Sequence, residues 1–184
     1  MLGWSNDMTT NIEKPVAGVK VLKRSRAAVT GTHVIETRKP LSVTNFSDVY
    51  RLGPVERIEI IKRGVPAGEV AKIAKTIGRP KERLFKVLGL PRATVDRRAR
   101  SKQQLSPDQG ERVLGFSKLV GQVQVMVEQS GDASGFDAAK WVADWLDRPA
   151  PALGGQCPAE YMDTAEGQEL VSGLIARIQS GAYA

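Results

Sequence analysis

Cysteine and histidine are almost absent from this 184-residue chain, which contains one of each, Cys157 and His33. A single cysteine excludes an internal disulfide and fits a reducing compartment. One cysteine and one distant histidine cannot supply the clustered ligands of a metal site, so we expect no bound metal. The sequence also lacks a nucleophile–base pair and a glycine-rich phosphate loop. We therefore expect a protein that is not an enzyme and needs no cofactor.

Long apolar runs are missing as well. No stretch of about 18 apolar residues occurs, so we expect no membrane-spanning helix. The N-terminus lacks a basic region followed by an apolar run, which is the pattern of a signal peptide. These absences predict a cytoplasmic protein that does not bind membranes. A hydrophobic fraction of 41% is nevertheless sufficient for a packed core.

Positive charge exceeds negative charge in this chain, and the excess is confined to its first part. Residues 1–102 contain 22 Lys or Arg against 9 Asp or Glu, a balance of +13. Residues 103–184 contain 5 against 11, a balance of −6. A basic first part suits nucleic acid, whereas an acidic surface repels phosphate and favours a protein partner.

Residues 1–46 are weakly patterned and are predicted to form an N-terminal arm. Residues 16–22 and 27–35 have the composition of short strands. A solvated arm, a DNA-contacting arm and a dimer-forming extension remain as alternatives.

Helical signals begin at Ser47. Ser47 predicts the cap of one long helix that ends at Gly64. Its apolar residues recur at helical spacing: Val49, Leu52, Val55, Ile58 and Ile61. Pro66 predicts the first residue of the next helix, which ends at Gly78.

Residues 79–102 have the spacing of a helix-turn-helix. Leu84 and Leu88 predict the inner face of the first helix, and Gly89 stands at the tight turn, where a positive φ is often needed. Pro91 begins the second helix. The segment contains nine Lys or Arg against two acidic residues. Recognition helices place such side chains against bases and phosphates. We therefore predict DNA contacts from Arg92, Thr94, Arg97, Arg98, Arg100 and Lys102. An ordinary helical hairpin with a solvated basic face is the alternative.

Residues 105–184 predict further helices. Ser106 and Pro107 begin a long helix that runs to about Gln129. Its interior glycines weaken the helix, which predicts close approach by another helix: Gly110, Gly115 and Gly121. Ser134 with Asp137 resembles a capping box for the next helix, which carries Trp141 and Trp145 on its inner face. Thr164 caps the last helix, and its apolar stripe is Leu170, Val171, Leu174, Ile175 and Ile178.

The C-terminal part also carries a distinctive series of residues. The set is Trp141, Trp145, the Pro-Ala-Pro-Ala-Leu-Gly-Gly elbow of residues 149–155, Pro158, Asp163, Thr164, Gly167, Arg177, Ile178 and Gly181. Together with the helix-turn-helix upstream, this set resembles the Xre-type antitoxins of RES–Xre type II toxin–antitoxin pairs, also called Xre/MbcA/ParS antitoxins. The resemblance covers roughly residues 50–184. Ala150 departs from the family, in which Asn is frequent.

The resemblance implies a mainly α fold. A helix-turn-helix DNA-binding domain of residues 47–104 would be followed by a helical domain of residues 105–184 that dimerises and binds a toxin. The family's toxin is a RES-domain protein that consumes NAD, and the antitoxin covers its active-site cleft. The resemblance also implies a homodimer that binds its own operator DNA as an autorepressor, associated with the nucleoid when bound there.

We accordingly expect toxin contacts from one set of C-terminal residues: Trp141, Trp145, Leu153, Gly154, Gly155, Arg177, Tyr183 and Ala184. The Ala184 carboxylate can pair with an arginine in an NAD pocket, and Tyr183 can fill an aromatic subsite. A frayed tail is the alternative for these last two residues. Trp141 and Trp145 suit the core as well as an interface. A stand-alone helix-turn-helix regulator, whose C-terminal domain only dimerises, remains the competing function.

Overall fold

The fold is mainly α-helical, as the sequence predicts. The structure, a computed structural model, describes residues 42–131 and 133–179. Within these residues the chain forms eight α-helices and two 3₁₀ turns, and no β-strand. The helices are α1 (Phe46–Arg51), α2 (Pro54–Arg63), α3 (Glu69–Thr76), α4 (Lys81–Val87), α5 (Arg92–Arg100), α6 (Pro107–Ser130), α7 (Ala138–Leu146) and α8 (Ala165–Gln179). The 3₁₀ turns are Pro151–Leu153 and Pro158–Tyr161.

Helix α6 is the element against which α1, α2, α7 and α8 pack. Its predicted start is confirmed. Ser106 is the N-cap, Pro107 follows it, and the Gln109 side chain accepts a hydrogen bond from the Ser106 backbone N–H at 3.3 Å. The apolar stripe of α6 is buried over most of its length, for example at Val113, Phe116 and Val120. The position of this helix is therefore fixed by other elements of the same chain.

The glycines of α6 lie where neighbouring elements approach closely. A Cβ on Gly121 would overlap the backbone carbonyl of Phe46 in α1, and a Cβ on Gly115 would overlap the side chain of Gln168 in α8. A Cβ on Gly110 would lie 3.3 Å from Cγ2 of Val65. The predicted close approach by another helix is confirmed at Gly115 and Gly121, whereas the neighbour of Gly110 is the non-helical segment after α2.

The single helix predicted between Ser47 and Gly64 is wrong, because the chain forms two helices there. Gly53 adopts an extended conformation and Pro54 begins α2, so the first helix ends at Arg51. The Glu56 side chain then accepts the Gly53 N–H at 2.8 Å. As a result α2 has no fully buried residue, and its predicted inner residues Val55 and Ile58 are 68% and 48% exposed.

Pro66 does not begin a helix, contrary to the prediction. Residues 65–67 instead run antiparallel to residues 103–105, with an isolated bridge between Pro66 and Gln104. The Ala67 N–H donates to the Gln103 carbonyl at 3.0 Å, and the Leu105 N–H donates to the Val65 carbonyl at 2.8 Å. Helix α3 begins three residues later than predicted, at Glu69. This pairing ties the end of α2 to the segment that follows α5.

The predicted N-cap of α8 is confirmed, whereas that of α7 is wrong. Asp137, and not Ser134, caps α7, because its carboxylate accepts the Lys140 backbone N–H at 3.0 Å. Thr164 caps α8 as predicted, because its hydroxyl accepts the Gly167 N–H at 3.1 Å.

The described residues all belong to one compact unit. The division into domains at residue 104 stays a prediction. The strands predicted at 16–22 and 27–35 lie outside the described residues. In the part of the chain that the structure describes, no helix is long and apolar enough to cross a membrane, and no three His, Cys, Asp or Glu side chains are grouped as metal ligands.

Candidate DNA-binding and toxin-binding surfaces

The turn between α4 and α5 has the geometry of a helix-turn-helix. Gly89 has φ of 56°, and the Leu90 N–H donates to the Phe85 carbonyl at 2.8 Å, which is the long hydrogen bond of a Schellman motif. The Arg112 guanidinium from α6 donates to the Leu88 and Gly89 carbonyls at 3.0 and 2.9 Å. The turn that sets the direction of α5 is therefore fixed by the central helix.

Three consecutive helices of this part end in the same motif. Helices α3, α4 and α5 place Gly78, Gly89 and Lys102 at the position after the C-cap, with φ of 66°, 56° and 52°. In α5 the Gln103 N–H donates to the Arg98 carbonyl at 2.8 Å, and the Lys102 N–H donates to the Ala99 carbonyl at 3.2 Å. Lys102 is the one non-glycine residue with positive φ among the described residues. A side chain in this conformation costs free energy that glycine avoids.

The predicted DNA-binding residues differ in how available they are. Arg97, Arg100 and Lys102 are exposed around the C-terminal half of α5. Arg98 is half-buried, and its guanidinium donates to the Gln109 side chain at 3.2 Å, so it positions α5 on α6. Thr94 is half-buried as well.

Acidic neighbours lie at the N-terminal end of α5. Arg92 is exposed but lies 3.1 Å from a Glu82 carboxylate oxygen and 3.8 Å from an Asp96 carboxylate oxygen. Lys81 binds Asp96 at 2.6 Å, and this hydrogen bond, together with the positive charges of Lys81 and its neighbours, lowers the pKa of Asp96 below its ordinary value. Asp96 thus stays ionised and orients Arg92 and Lys81. The basic side chains with the fewest acidic neighbours therefore lie at the C-terminal end of α5.

Sequence reasoning missed two basic residues near this end. Lys62 and Arg63 close α2 and are exposed, and the backbone pairing of residues 65–67 with 103–105 brings them toward the segment after Lys102. Arg63 and Gln104 line the same groove. Nothing local in the sequence signals this proximity, because it depends on a pairing across nearly forty residues.

Two arginines, one just before α4 and one within it, form ion pairs inside the chain. Arg79 forms an ion pair with Asp144, and Arg83 forms one with Asp147. Both aspartates lie at the C-terminal end of α7, so these pairs join the helix-turn-helix to the part that carries the two Trp. The net charge of residues 79–102 therefore overstates the charge that faces solvent.

The Trp pair lies at the edge of the core. Trp141 and Trp145 stack with ring centroids 5.9 Å apart and an interplanar angle of 8°, and Phe136 lies 6.2 Å from Trp141. Both Trp pack against the core but remain half-buried. Phe136 is exposed, so the three rings form an aromatic patch on the surface. The rings therefore contribute to the core and to a surface that a partner can contact.

The elbow is closed by backbone hydrogen bonds and not by a side-chain cap. The Ala150 carbonyl accepts from the N–H groups of Leu153 and Gly155 at 2.9 and 3.0 Å, and the Ala150 N–H donates to the Gln156 carbonyl at 3.0 Å. Gly154 and Gly155 have φ of 65° and 87° and are exposed, with no neighbour near a built Cβ. Leu153 is half-buried.

The remaining predicted toxin contacts lie in or beyond α8. Arg177 is exposed near the end of α8. Tyr183 and Ala184 lie outside the described residues, so their predicted roles stay predictions. The structure thus brings Trp141 and Trp145 together, places the elbow after them, and puts Arg177 on a separate helix.

The geometry defines a class of protein: a helix-turn-helix protein with a second surface of aromatic and apolar side chains. Two family models match the chain. The antitoxin Xre-like helix-turn-helix domain matches residues 56–118, and the antitoxin Xre/MbcA/ParS C-terminal toxin-binding domain matches residues 135–181. A relative from Sphingobium sp. (strain YBL2), the Prs ADP-ribosylating antitoxin, is 46% identical over 139 residues, which is 76% of this chain and 87% of the relative.

The chain therefore belongs to the Xre/MbcA/ParS family of antitoxins, and the predicted family is confirmed. Residues 56–118 include the whole α4–α5 pair, and residues 135–181 include the Trp pair, the elbow and α8. The individual DNA and toxin contacts stay predictions.

Proposed function

We propose that this antitoxin neutralises a RES-domain toxin that consumes NAD, by binding the toxin and covering its active site. The observation that carries the proposal is the match of residues 135–181 to a toxin-binding domain, together with the 46% identity to an antitoxin whose name includes ADP-ribosylation. ADP-ribosyl chemistry uses NAD, so the relative's name agrees with a toxin of this class. In this role the chain itself is not an enzyme and needs no cofactor.

Electrostatics support the same proposal. A pocket that holds the NAD pyrophosphate is electropositive, and residues 103–184 carry a balance of −6. Opposite potentials speed encounter and set the orientation of the two proteins. The aromatic patch of Phe136, Trp141 and Trp145 supplies the side chains that dominate binding energy at protein interfaces.

The test of neutralisation uses the full chain and the product of the neighbouring gene. The two proteins are co-purified, and NAD consumption is measured with the toxin alone and with antitoxin added. We expect a stable complex in which NAD consumption stops. A complex that consumes NAD at the rate of free toxin would refute occlusion.

The role of the last two residues is tested separately. Deletion of Tyr183 and Ala184 is expected to restore NAD consumption in a complex that still forms. Tyr183→Phe is the matched control, because it keeps an aromatic side chain that can fill the proposed subsite. Full inhibition by the deletion variant would show that the rest of the chain covers the active site.

We further propose that the chain binds its own operator as a homodimeric autorepressor in the cytoplasm, associated with the nucleoid when bound. The exposed Arg97, Arg100 and Lys102 and the helix-turn-helix geometry of α4 and α5 support DNA binding. Dimeric helix-turn-helix proteins read two half-sites, which is the usual route to sequence specificity. The toxin-binding match favours this combined role over a regulator whose C-terminal domain only dimerises.

The test of operator binding is a gel shift on the promoter of the operon. Arg97→Ala with Arg100→Ala is expected to lower the salt-dependence slope of DNA affinity by about 1.8, from about 0.9 per phosphate contact. Arg51→Ala with Arg148→Ala removes the same charge from α1 and from the segment after α7, and serves as the control. Equal effects of the two pairs would show that only net charge matters.

A further inference from the structure

Five glycines lie inside the described helices, and four of them have a reason within the chain. A Cβ on Gly115 would overlap Gln168, one on Gly121 would overlap the Phe46 carbonyl, and one on Gly167 would overlap the Tyr161 carbonyl. A Cβ on Gly110 would lie within 3.3 Å of Val65. Each of these glycines permits a contact that an alanine would crowd.

Gly173 in the middle of α8 is the exception. No heavy atom lies within 4 Å of a Cβ built on this residue. Its φ is not positive, so the helix does not require glycine there. Glycine weakens a helix interior relative to alanine through backbone entropy. The described part of this chain therefore offers no contact that explains Gly173.

Gly173 lies on an outward stripe of α8. Glu166, Leu170, Gly173 and Arg177 follow one another at spacings of four, three and four residues, which places them on one face. The opposite face, with Val171, Leu174 and Ile175, is buried against the core. Leu170 on the outward stripe is 43% exposed.

The outward stripe borders an open groove of ≈ 550 Å³. Tyr161 from the second 3₁₀ turn forms one wall, and Leu170 and Gly173 belong to the α8 side. Tyr161 is half-buried and Leu170 is exposed, so the groove offers apolar surface beside a position without a side chain. Such a site accepts a backbone segment that approaches α8 closely at Gly173.

We propose that the occupant of this groove is the cognate toxin, which lays a backbone segment against Gly173 and an apolar side chain between Tyr161 and Leu170. This inference rests on the proposed function. The toxin is favoured as occupant because the toxin-binding match of residues 135–181 includes both walls of the groove. The groove is lined by Glu166, Glu169 and Arg177, an excess of one negative charge, and this excess agrees with the electropositive toxin inferred above.

The test compares bulk added inside and outside the groove on the same helix. Gly173→Ala and Gly173→Leu add side chains at the proposed contact. Ala176→Leu adds similar bulk at an exposed position of α8 that does not line the groove, and it is the matched control. Affinity for purified, catalytically inactivated toxin is measured by calorimetry, Tm by circular dichroism, and self-association by sedimentation.

Stability and toxin affinity are expected to move in opposite directions. Gly173→Ala should raise the Tm of the free antitoxin by about 2–4 °C, because it improves helix propensity and meets no neighbour. Gly173→Leu should weaken toxin binding about 10-fold or more, because overpacked contacts are costly. Ala176→Leu should leave toxin affinity within about 2-fold of wild type.

Each contrary outcome has its own meaning. Unchanged toxin affinity for both Gly173 variants overturns the inference and leaves the proposed function standing. Altered self-association with unchanged toxin affinity assigns the groove to a second copy of this chain and also overturns it. Equal weakening by Ala176→Leu removes the argument for a specific groove. If the wild-type chain does not bind the toxin, the proposed function fails and this inference fails with it.

Discussion

Two surfaces of the molecule differ in the kind of side chain they expose: the surface around the C-terminal end of α5, and the surface around α7 and α8. Near α5 the exposed side chains are cationic, with Arg97, Arg100 and Lys102 and no exposed large apolar residue from that helix. On α8 and just before α7 the exposed side chains include Leu170 and Phe136, the latter beside the half-buried Trp pair. The first surface suits a polyanion, and the second suits a protein.

The difference teaches which physical force each surface depends on. Binding to DNA through phosphate contacts weakens steeply with salt, because it releases condensed counterions. Binding through buried aromatic and aliphatic side chains depends mainly on removal of apolar area from water, which salt affects little. A change of salt should therefore separate the two activities of one chain without any mutation.

Both surfaces are nevertheless attached to α6. Arg112 fixes the helix-turn-helix turn through the Leu88 and Gly89 carbonyls. On the other side Gln122 donates to the Ser172 carbonyl at 3.1 Å and accepts the Ser172 hydroxyl at 2.7 Å. Damage to α6 should therefore affect both surfaces, whereas damage to either surface should affect one.

Gly121→Val in α6 is expected to have the largest effect and to impair both surfaces together. Its side chain would overlap the Phe46 backbone carbonyl, so α1 must move away from α6. We expect a loss of about 3 kcal/mol in the free energy of unfolding, measured by urea denaturation. Gly110→Ala is the control in the same helix, because the nearest atom to its Cβ is Cγ2 of the Val65 side chain, at 3.3 Å. Similar losses for both variants would contradict the role of the α1 contact.

Trp141→Ala should weaken toxin binding by about 2 kcal/mol, roughly 30-fold, and leave operator affinity unchanged. The physical reason is that Trp141 lies between the other two rings of the aromatic patch, stacked on Trp145 and tilted against Phe136. Calorimetry with inactivated toxin and a gel shift with the operator provide the two measurements. A parallel loss of operator affinity would show that Trp141 acts through the core.

Lys102→Gly should lower operator affinity and raise stability at the same time. Glycine relieves the positive φ of Lys102 and keeps the Schellman hydrogen bonds, so the free energy of unfolding should rise by up to about 1 kcal/mol. Loss of one phosphate contact should reduce the salt slope by about 0.9. Lys75→Ala, on the exposed face of α3, is the matched charge control. A slope unchanged by Lys102→Gly would place this lysine away from DNA.

Asp137→Ala should have the smallest effect, about 1 kcal/mol of unfolding free energy, through loss of the α7 N-cap. The hydrogen bond from the Lys140 N–H lowers the pKa of Asp137 below its ordinary value. The carboxylate therefore stabilises the fold fully at neutral pH. This stabilisation is lost as pH falls below the ordinary Asp value and through the lowered folded value. Asp137→Asn, which keeps a capping oxygen, should lose less, and equal losses would contradict the capping role.

The elements that the sequence predicts well are those with local signals. Ser106, Pro107 and Gly131 mark both ends of α6, and Gly89 marks the turn before α5, because caps and positive φ are decided within a few residues. The break between α1 and α2 also has a local signal, the Gly53-Pro54 pair. The helical spacing of the apolar residues from Val49 to Ile61 masks that signal, although some of these residues are exposed to solvent.

The parts that could not be predicted depend on distant partners. Arg98 has the appearance of a DNA-contacting residue, but Gln109 of α6 receives its hydrogen bond. Pro66 has the appearance of a helix start, but residues 103–105 pair with its segment. Charge alone cannot distinguish a solvated arginine from one such as Arg83, which an aspartate of another helix binds.

The ion pairs Arg79–Asp144 and Arg83–Asp147 bear on how antitoxins of this family can diversify. A recombination event that joined the helix-turn-helix of one relative to the toxin-binding part of another would break these pairs unless both parents carried them. The Asp163 side chain, which lies against Gly89, adds a steric condition to the same junction. New combinations of operator and toxin should therefore arise more readily by substitution on the outer surfaces than by exchange of whole segments.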